Sequence, residues 1–147
     1  MIINLTGQPG AGKTTIAKEL CRIIPSSINI DGDELRLALG NKDYSEHGRR
    51  QNIITAYNIA RFLEHQGFVP VISLISPFLD LREGLKSATE VFEYYLYTSE
   101  DRGKQKYFVE NYEKPEMDFT PIDTTRGFPD MIAYNIWIDC APYQYGV

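Results

Sequence analysis

The sequence predicts an α/β fold in which helices cover both faces of a parallel sheet. Short apolar runs alternate with stretches whose apolar residues recur at helical spacing along most of the 147 residues, the pattern of a sheet built from β-α units. The opening run, Met1 to Thr6, ends at glycines and leads directly into a helical stretch. No internal repeat, low-complexity tract or linker interrupts the chain, so residues 1–147 are expected to form one domain around one core.

The elements follow in order. Met1 to Thr6 is a short, mainly apolar run, as in a buried strand. From Lys13 to Ile24 the apolar positions have helical spacing, and Pro25 stops the pattern. Cys21 lies on that stripe with Ile16, Ala17, Leu20 and Ile24 and reads as a buried, inert thiol. With Cys140 it gives neither metal spacing nor a disulfide framework. Ser27 to Ile30 is a second strand, followed by Asp31-Gly32-Asp33 and a brief helix through Leu39. A long amphipathic helix is expected from His47 to Gln66, with Ile53, Tyr57, Ala60 and Leu63 inward and Gly67 as C-cap. Phe68 to Ile75 is a third strand. Pro70 has no N–H to donate, so its pairing is expected to begin at Val71. Pro77 to Ala88 reads as helix, Val91 to Tyr97 as strand, Asp118 to Asp123 as a weaker final strand and Pro129 to Trp137 as a last helix. The tail from Asn135 to Val147 has no pattern that fixes its order.

Composition narrows the function. A hydrophobic fraction of 43% and a charged fraction of 24% are ordinary for a globular protein. The net charge of −5 gives no basic face for nucleic acid or anionic lipid. No apolar run approaches the roughly 20 residues that span a bilayer. The N-terminus lacks the charged start and cleavage site of a signal peptide. A cytoplasmic protein acting on a small molecule is the expectation, without nucleic acid or membrane.

Gly7-Gln8-Pro9-Gly10-Ala11-Gly12-Lys13-Thr14, with Thr15 behind it, is a complete Walker A sequence between a strand and a helix. Its glycines let successive N–H groups converge on phosphate oxygens, and the following helix adds the positive end of its dipole. Lys13 is placed to reach the β and γ phosphates of ATP, and the Thr14 hydroxyl to complete a Mg²⁺ shell. A glycine turn before an ordinary helix-start lysine is the plain alternative.

Such loops also serve GTPases and motors, so the acceptor side decides. Asp31 and Asp33 follow the second strand, where two carboxylates can hold Mg²⁺ through water and take the proton of an attacking hydroxyl. Arg36 lies one helical turn beyond Asp33 and can bind a phosphate bidentately. An Asp-Gly turn in which Asp33 merely caps the helix remains open. Arg49 and Asn52 share a helix face and can close on the same acceptor, or form a solvated helix end. Ser73 to Phe78 ends the third strand with free backbone donors and an aromatic ring. A core position for Phe78 is equally open.

At these residues the chain resembles the adenylylsulfate kinase family. The resemblance runs through Gly7 to Thr15, Asp31-Gly32-Asp33-Glu34-Leu35-Arg36, Tyr44-Ser45, Arg49 with Asn52-Ile53, Ile75-Ser76-Pro77-Phe78 with Arg82-Glu83, and Tyr112-Glu113-Lys114-Pro115. It covers roughly residues 1 to 125. It implies a three-layer P-loop kinase fold with a parallel five-stranded sheet flanked by helices and a short lid at about 98–112. It also implies phosphorylation of the 3′-hydroxyl of adenosine 5′-phosphosulfate, with Lys13, Asp33 as base and Asp31 assisting with metal and water. Arg36, Arg49, Asn52 and the Ile75–Ser76 backbone would hold the acceptor, beside Phe78. Tyr44 stands where the family has a phenylalanine packed on adenine. A homodimer stays open.

The departures fall on the acceptor side. Ile54 and Thr55 stand where the family has two arginines, Gly48 replaces an acidic residue, and the loop before Tyr44 is shorter. Losing two guanidinium groups removes charge-assisted bonds to a phosphosulfate. The lid, SEDRGKQKYFVEN at 99–111, is shorter than the family's, with Arg102, Lys104 and Lys106 as candidates to cover the phosphates. A kinase of the same family with a different small acceptor, or a nucleotide-binding module without transfer activity, are the alternatives.

Overall fold

The computed structural model describes the backbone of residues 1–144. In chain order the elements are β1 (Ile2–Thr6), α1 (Lys13–Ile23), β2 (Ser27–Asp31), α2 (Gly32–Leu39), α3 (Glu46–His65), β3 (Val69–Ser73), α4 (Leu79–Ala88), β4 (Val91–Tyr97), β5 (Phe119–Asp123) and α5 (Pro129–Gln144). The strands form one sheet in the order β2-β3-β1-β4-β5, and every neighbouring pair is parallel.

Alternation along the strands divides the core in two. Ile3, Leu5, Val71 and Leu96 point to one face and pack with Leu20 of α1 and Ile136 of α5. Ile2 and Ile72 point to the other and pack with Ala56 and Tyr57 of α3 and Leu85 of α4. The predicted three-layer parallel sheet is therefore the observed one. Leu20 is fully buried, and truncating such a side chain to alanine costs about 2–5 kcal/mol.

β1 lies at the centre, with β3 on one side and β4 on the other. The connection after β1 runs to β2 on one side and the connection after β4 to β5 on the other, opening a crevice beyond the carboxyl ends of the strands. The register brings Asp31 level with Ser73, and Leu5 level with the same Ser73. The ends of β2, β3 and β1 thus converge where the phosphate loop begins.

Two sequence expectations shift. Pro70 does pair, opposite Ile28 of β2, and pairing with β2 starts at Val69, whose N–H bonds the Ser26 carbonyl at 2.9 Å. Alternation turns the proline nitrogen toward β1, where the ladder begins only at Val71. The missing donor is needed on neither side. The final helix does not stop at Trp137: α5 runs to Gln144, past Pro142, because Ala133, Ile136 and Cys140 continue one buried stripe. Most of the tail from Asn135 onward is therefore helical, and its last residues, 145–147, lie outside the described ones.

Candidate active site

The phosphate loop is shaped by close backbone approach. A Cβ on Gly7 would lie 2.3 Å from the Leu96 carbonyl oxygen, so only glycine lets β1 turn away beside β4. Gly12 takes a left-handed conformation, φ 102°, at the N-cap of α1, and no side chain caps that end. The first N–H groups of α1 are thereby left for an anion. Lys13 is buried and donates its ammonium to the Gln8 carbonyl at 2.9 Å. Burial pushes its pKa down to about 8 against the opposing pull of Asp31 and Asp33.

Asp31 is the organising carboxylate. One oxygen accepts from the Thr14 hydroxyl at 2.8 Å and from the Ser73 hydroxyl at 3.1 Å. Its other oxygen accepts the N–H groups of Asp33 and Glu34 at 3.2 and 3.3 Å, capping α2. Asn29 holds Ser73 in turn at 2.9 Å. The helix cap is Asp31 and not Asp33. Asp33 is exposed to the cleft, its carboxylate free of hydrogen bonds to described residues, with the Lys13 charge acting on it. The oxygens of Thr14 and Asp31 are hard donors suited to Mg²⁺, which takes one or two protein ligands and fills its octahedron with phosphate and water.

These groups line a cavity of about 1100 Å³ that also takes in Tyr44, Arg49, Asn52, Ile75 and Ser76. Arg36 borders it but is not free. Its guanidinium donates to the Asn41 carbonyl and side chain at 3.3 and 3.2 Å and to the Asp43 carbonyl at 3.0 Å. It also lies 4.2 Å from the centroid of the Tyr44 ring. Arg36 therefore braces the 41–44 loop and Tyr44, a duty its helical spacing from Asp33 did not reveal. Arg49 carries the unengaged guanidinium of this wall, since no described residue pairs with its side chain.

Phe78 takes the core alternative. It packs with Ile72, Tyr57 and Leu85, with the Arg50 guanidinium 4.2 Å over its ring. It borders a separate cavity of about 370 Å³ and not the main cleft. The structure also revises the weight of the departures. Ile54 and Thr55 do not line the cleft; Thr55 donates its hydroxyl to the Gln51 carbonyl within α3. Gly48 and the shortened loop prove to be one feature, because a Cβ on Gly48 would lie 2.2 Å from the Asp43 carbonyl oxygen.

The lid is tied at both ends. Arg102 donates to the Gly10 carbonyl at 2.9 Å and to the Thr124 carbonyl at 2.8 Å, and pairs with Glu100 at 3.1 Å. It is thus a strut between lid and phosphate loop. Lys104 and Lys106 remain exposed over the cleft, flanking the Tyr107 ring at 5.8 and 5.0 Å. At the far end the Gln8 side chain donates to the Val109 carbonyl at 2.8 Å and accepts its N–H at 2.9 Å. Within the lid expected at 98–112, the stretch between these ties is about 103–108.

Sequence reasoning missed Thr124, whose hydroxyl bonds the Ala11 carbonyl at 2.7 Å and which lines the cleft with Gly127 and Pro129. A threonine-glycine-proline turn after the last strand, at the carboxyl edge of the sheet, was the available signal.

Comparison with known proteins places this geometry. The family model described as adenylylsulphate kinase matches residues 1–132. A cytidine diphosphoramidate kinase of Campylobacter jejuni is 36% identical over 99 residues, covering 62% of this chain, and the chain spans only 58% of that relative's length. An adenylyl-sulfate kinase of Pseudomonas aeruginosa is 32% identical over 161 residues, covering 92% of this chain and 82% of the relative. Among solved structures, the Mycobacterium tuberculosis APS kinase CysC in complex with AMPPNP and APS superposes with a TM-score of 0.79 at 21% identity, covering 94% of this chain and 95% of that one. The fold, the phosphate loop and a match over nearly the whole chain agree: this chain belongs to the adenylylsulphate kinase family.

Proposed function

We propose that the chain transfers the γ-phosphoryl group of ATP to a hydroxyl of a small acceptor, the 3′-hydroxyl of adenosine 5′-phosphosulfate, and so serves sulfate assimilation. The observation that carries this reading is the Asp33 carboxylate, free in a cleft that Lys13, Arg49 and Asn52 also line, with its charge acting on Lys13. The acceptor oxygen attacks the γ-phosphorus, the bond to the bridging oxygen breaks, and ADP leaves with its electron pair. Asp33 takes the hydroxyl proton.

Each neighbouring group has a part. The N–H groups at the start of α1 and the Lys13 charge oppose the negative charge on the β and γ phosphates. Thr14 and Asp31 would hold Mg²⁺, which would supply positive charge beside the phosphates. Arg49 and the Asn52 amide face the acceptor, and Arg36 fixes Tyr44 as a ring for its base. Lys104 and Lys106 cover the phosphates. Ile54 and Thr55 stand outside the cleft lining, so the side chains present there do not obstruct the family's substrate.

A second reading, a different phosphorylated acceptor such as a cytidine nucleotide, is favoured by the 36% identity to the Campylobacter jejuni enzyme. ADP release measured with adenosine 5′-phosphosulfate, cytidine diphosphoramidate and unsulfated nucleotides separates the two. Turnover of the sulfated nucleotide is expected. Its absence alongside turnover of a cytidine substrate would overturn the first reading, and ATP binding without transfer to any of them would reduce the chain to a binding module.

A further inference from the structure

The return arm of the lid, residues 109–113, joins both substrate loops. Beyond the pair made by Val109 and Gln8, the Glu113 N–H donates to the Pro77 carbonyl at 3.0 Å. Its carboxylate accepts from the Leu79 N–H at 3.3 Å, and its carbonyl accepts from Arg82. Tyr112 sits inside this arm. Its ring stacks on Tyr95 at 5.9 Å, and the Arg82 guanidinium lies 5.5 Å from its centroid.

The Tyr112 hydroxyl lies 2.6 Å from the Thr6 hydroxyl, and Thr6 donates to the Ile75 carbonyl at 2.7 Å. A threonine hydroxyl has one proton and a carbonyl can only accept. The proton between the two hydroxyls is therefore the tyrosine's. The donors run in one direction, Tyr112 to Thr6 to Ile75. That polarity strengthens both bonds in the buried setting of Thr6.

The end of this relay matters for the acceptor. Ser76 is held at φ 48°, in the left-handed region that a serine enters at a cost of about 1 kcal/mol or more. Thr6 holds the carbonyl on one side of it and Arg82 holds the Ser76 carbonyl itself. In a trans peptide the Ser76 N–H points opposite the Ile75 carbonyl. Because that carbonyl is drawn back toward β1, the N–H is directed to the cleft that Ile75 and Ser76 line.

We propose that Tyr112 is a positioning residue for the acceptor, bracing Thr6 and Arg82 so that the strained Ile75–Ser76 turn keeps its N–H aimed into the cleft. The inference rests on the kinase reading above and assigns the lid's return arm a task separate from closure: it sets the acceptor turn against the donor loop.

Tyr112→Phe removes the hydroxyl and leaves the ring on Tyr95 and Arg82. With ATP and adenosine 5′-phosphosulfate, the KM for the sulfated nucleotide should rise about tenfold while kcat and ATP affinity stay within about twofold. Thr6→Val should do the same, and the double variant should be no worse than the more affected single one, since both cut one relay. Amide exchange gives an independent readout: residues 73–77 should exchange faster in Tyr112→Phe with the melting temperature unchanged. An unchanged KM with unchanged exchange at 73–77 overturns the proposal, as does an equal loss of ATP and acceptor affinity. If the native protein does not turn over the sulfated nucleotide, that reading of the acceptor fails, and the exchange measurement alone decides the role of Tyr112.

Discussion

The Thr14 hydroxyl donates to the Asp31 carboxylate across 2.8 Å, joining the first turn of α1 to the last residue of β2. One short bond thus ties the donor's helix to the start of the acceptor's wall. Asp31 also caps α2, so Asp31→Ala should lower stability by about 1 kcal/mol through the lost cap. It should also raise the Mg²⁺ concentration needed for half-maximal turnover. Denaturant unfolding and a metal titration read the two effects separately, and Asp31→Asn should keep more of the cap than of the metal response.

Asp33 makes no such structural bond, and its replacement should touch chemistry alone. Asp33→Asn is expected to bind ATP normally, unfold at the native denaturant midpoint and turn over about a hundredfold more slowly. Native turnover in that variant would remove Asp33 as the base.

Lys13 carries a pH signature. Its folded pKa, about 8, lies below the 10.5 of the unfolded chain, so between these values the unfolded chain binds the additional proton. Stability from this group therefore rises with pH across that window, and the burial penalty is fully present below it. Lys13→Met should abolish transfer, and without nucleotide it should be more stable than the native protein below about pH 8. The difference should narrow toward pH 10.5. Urea midpoints of the two proteins at several pH values check this.

Arg82 and Glu93 form a fully buried pair at 3.0 Å, with Lys86 on the second Glu93 oxygen at 2.8 Å. Arg82→Met leaves a buried carboxylate short of its main partner and should destabilise by about 3–5 kcal/mol. Adding Glu93→Leu should recover part of the loss in a denaturant-based mutant cycle.

Two glycines should answer oppositely to alanine. Gly48→Ala places a methyl against the Asp43 backbone and should cost about 1–3 kcal/mol, with a raised acceptor KM because the Tyr44 loop is displaced. At Gly84, inside α4, a Cβ meets nothing within 4 Å, so Gly84→Ala should stabilise by about 0.5–1 kcal/mol. Thermal unfolding of both variants gives the comparison.

The sheet and its helices were legible because apolar periodicity is a local signal: Ile16, Leu20 and the strand residues Ile3 and Leu5 report burial by spacing alone. The phosphate loop was legible for the same reason, being contiguous. Tertiary choices were not. Arg36 reads from sequence as a phosphate ligand, but the carbonyls of Asn41 and Asp43 reach it through a loop whose path no spacing rule gives. Arg102 reads as a mobile lid cation, but Gly10 and Thr124 fix it. Ile54 and Thr55 were legible as departures from the family, but their place outside the cleft lining was not, because a list of substitutions does not say which way a helix faces.

The tethers at Arg102 and Val109 also bear on the tempo of catalysis. They leave only the stretch around 103–108 to open, with its ends fixed to the phosphate loop. Lid motions in folded enzymes run over microseconds to milliseconds, the same range as a typical turnover. Opening of this short tethered span therefore shares the timescale of turnover, so kcat should fall as solvent viscosity rises.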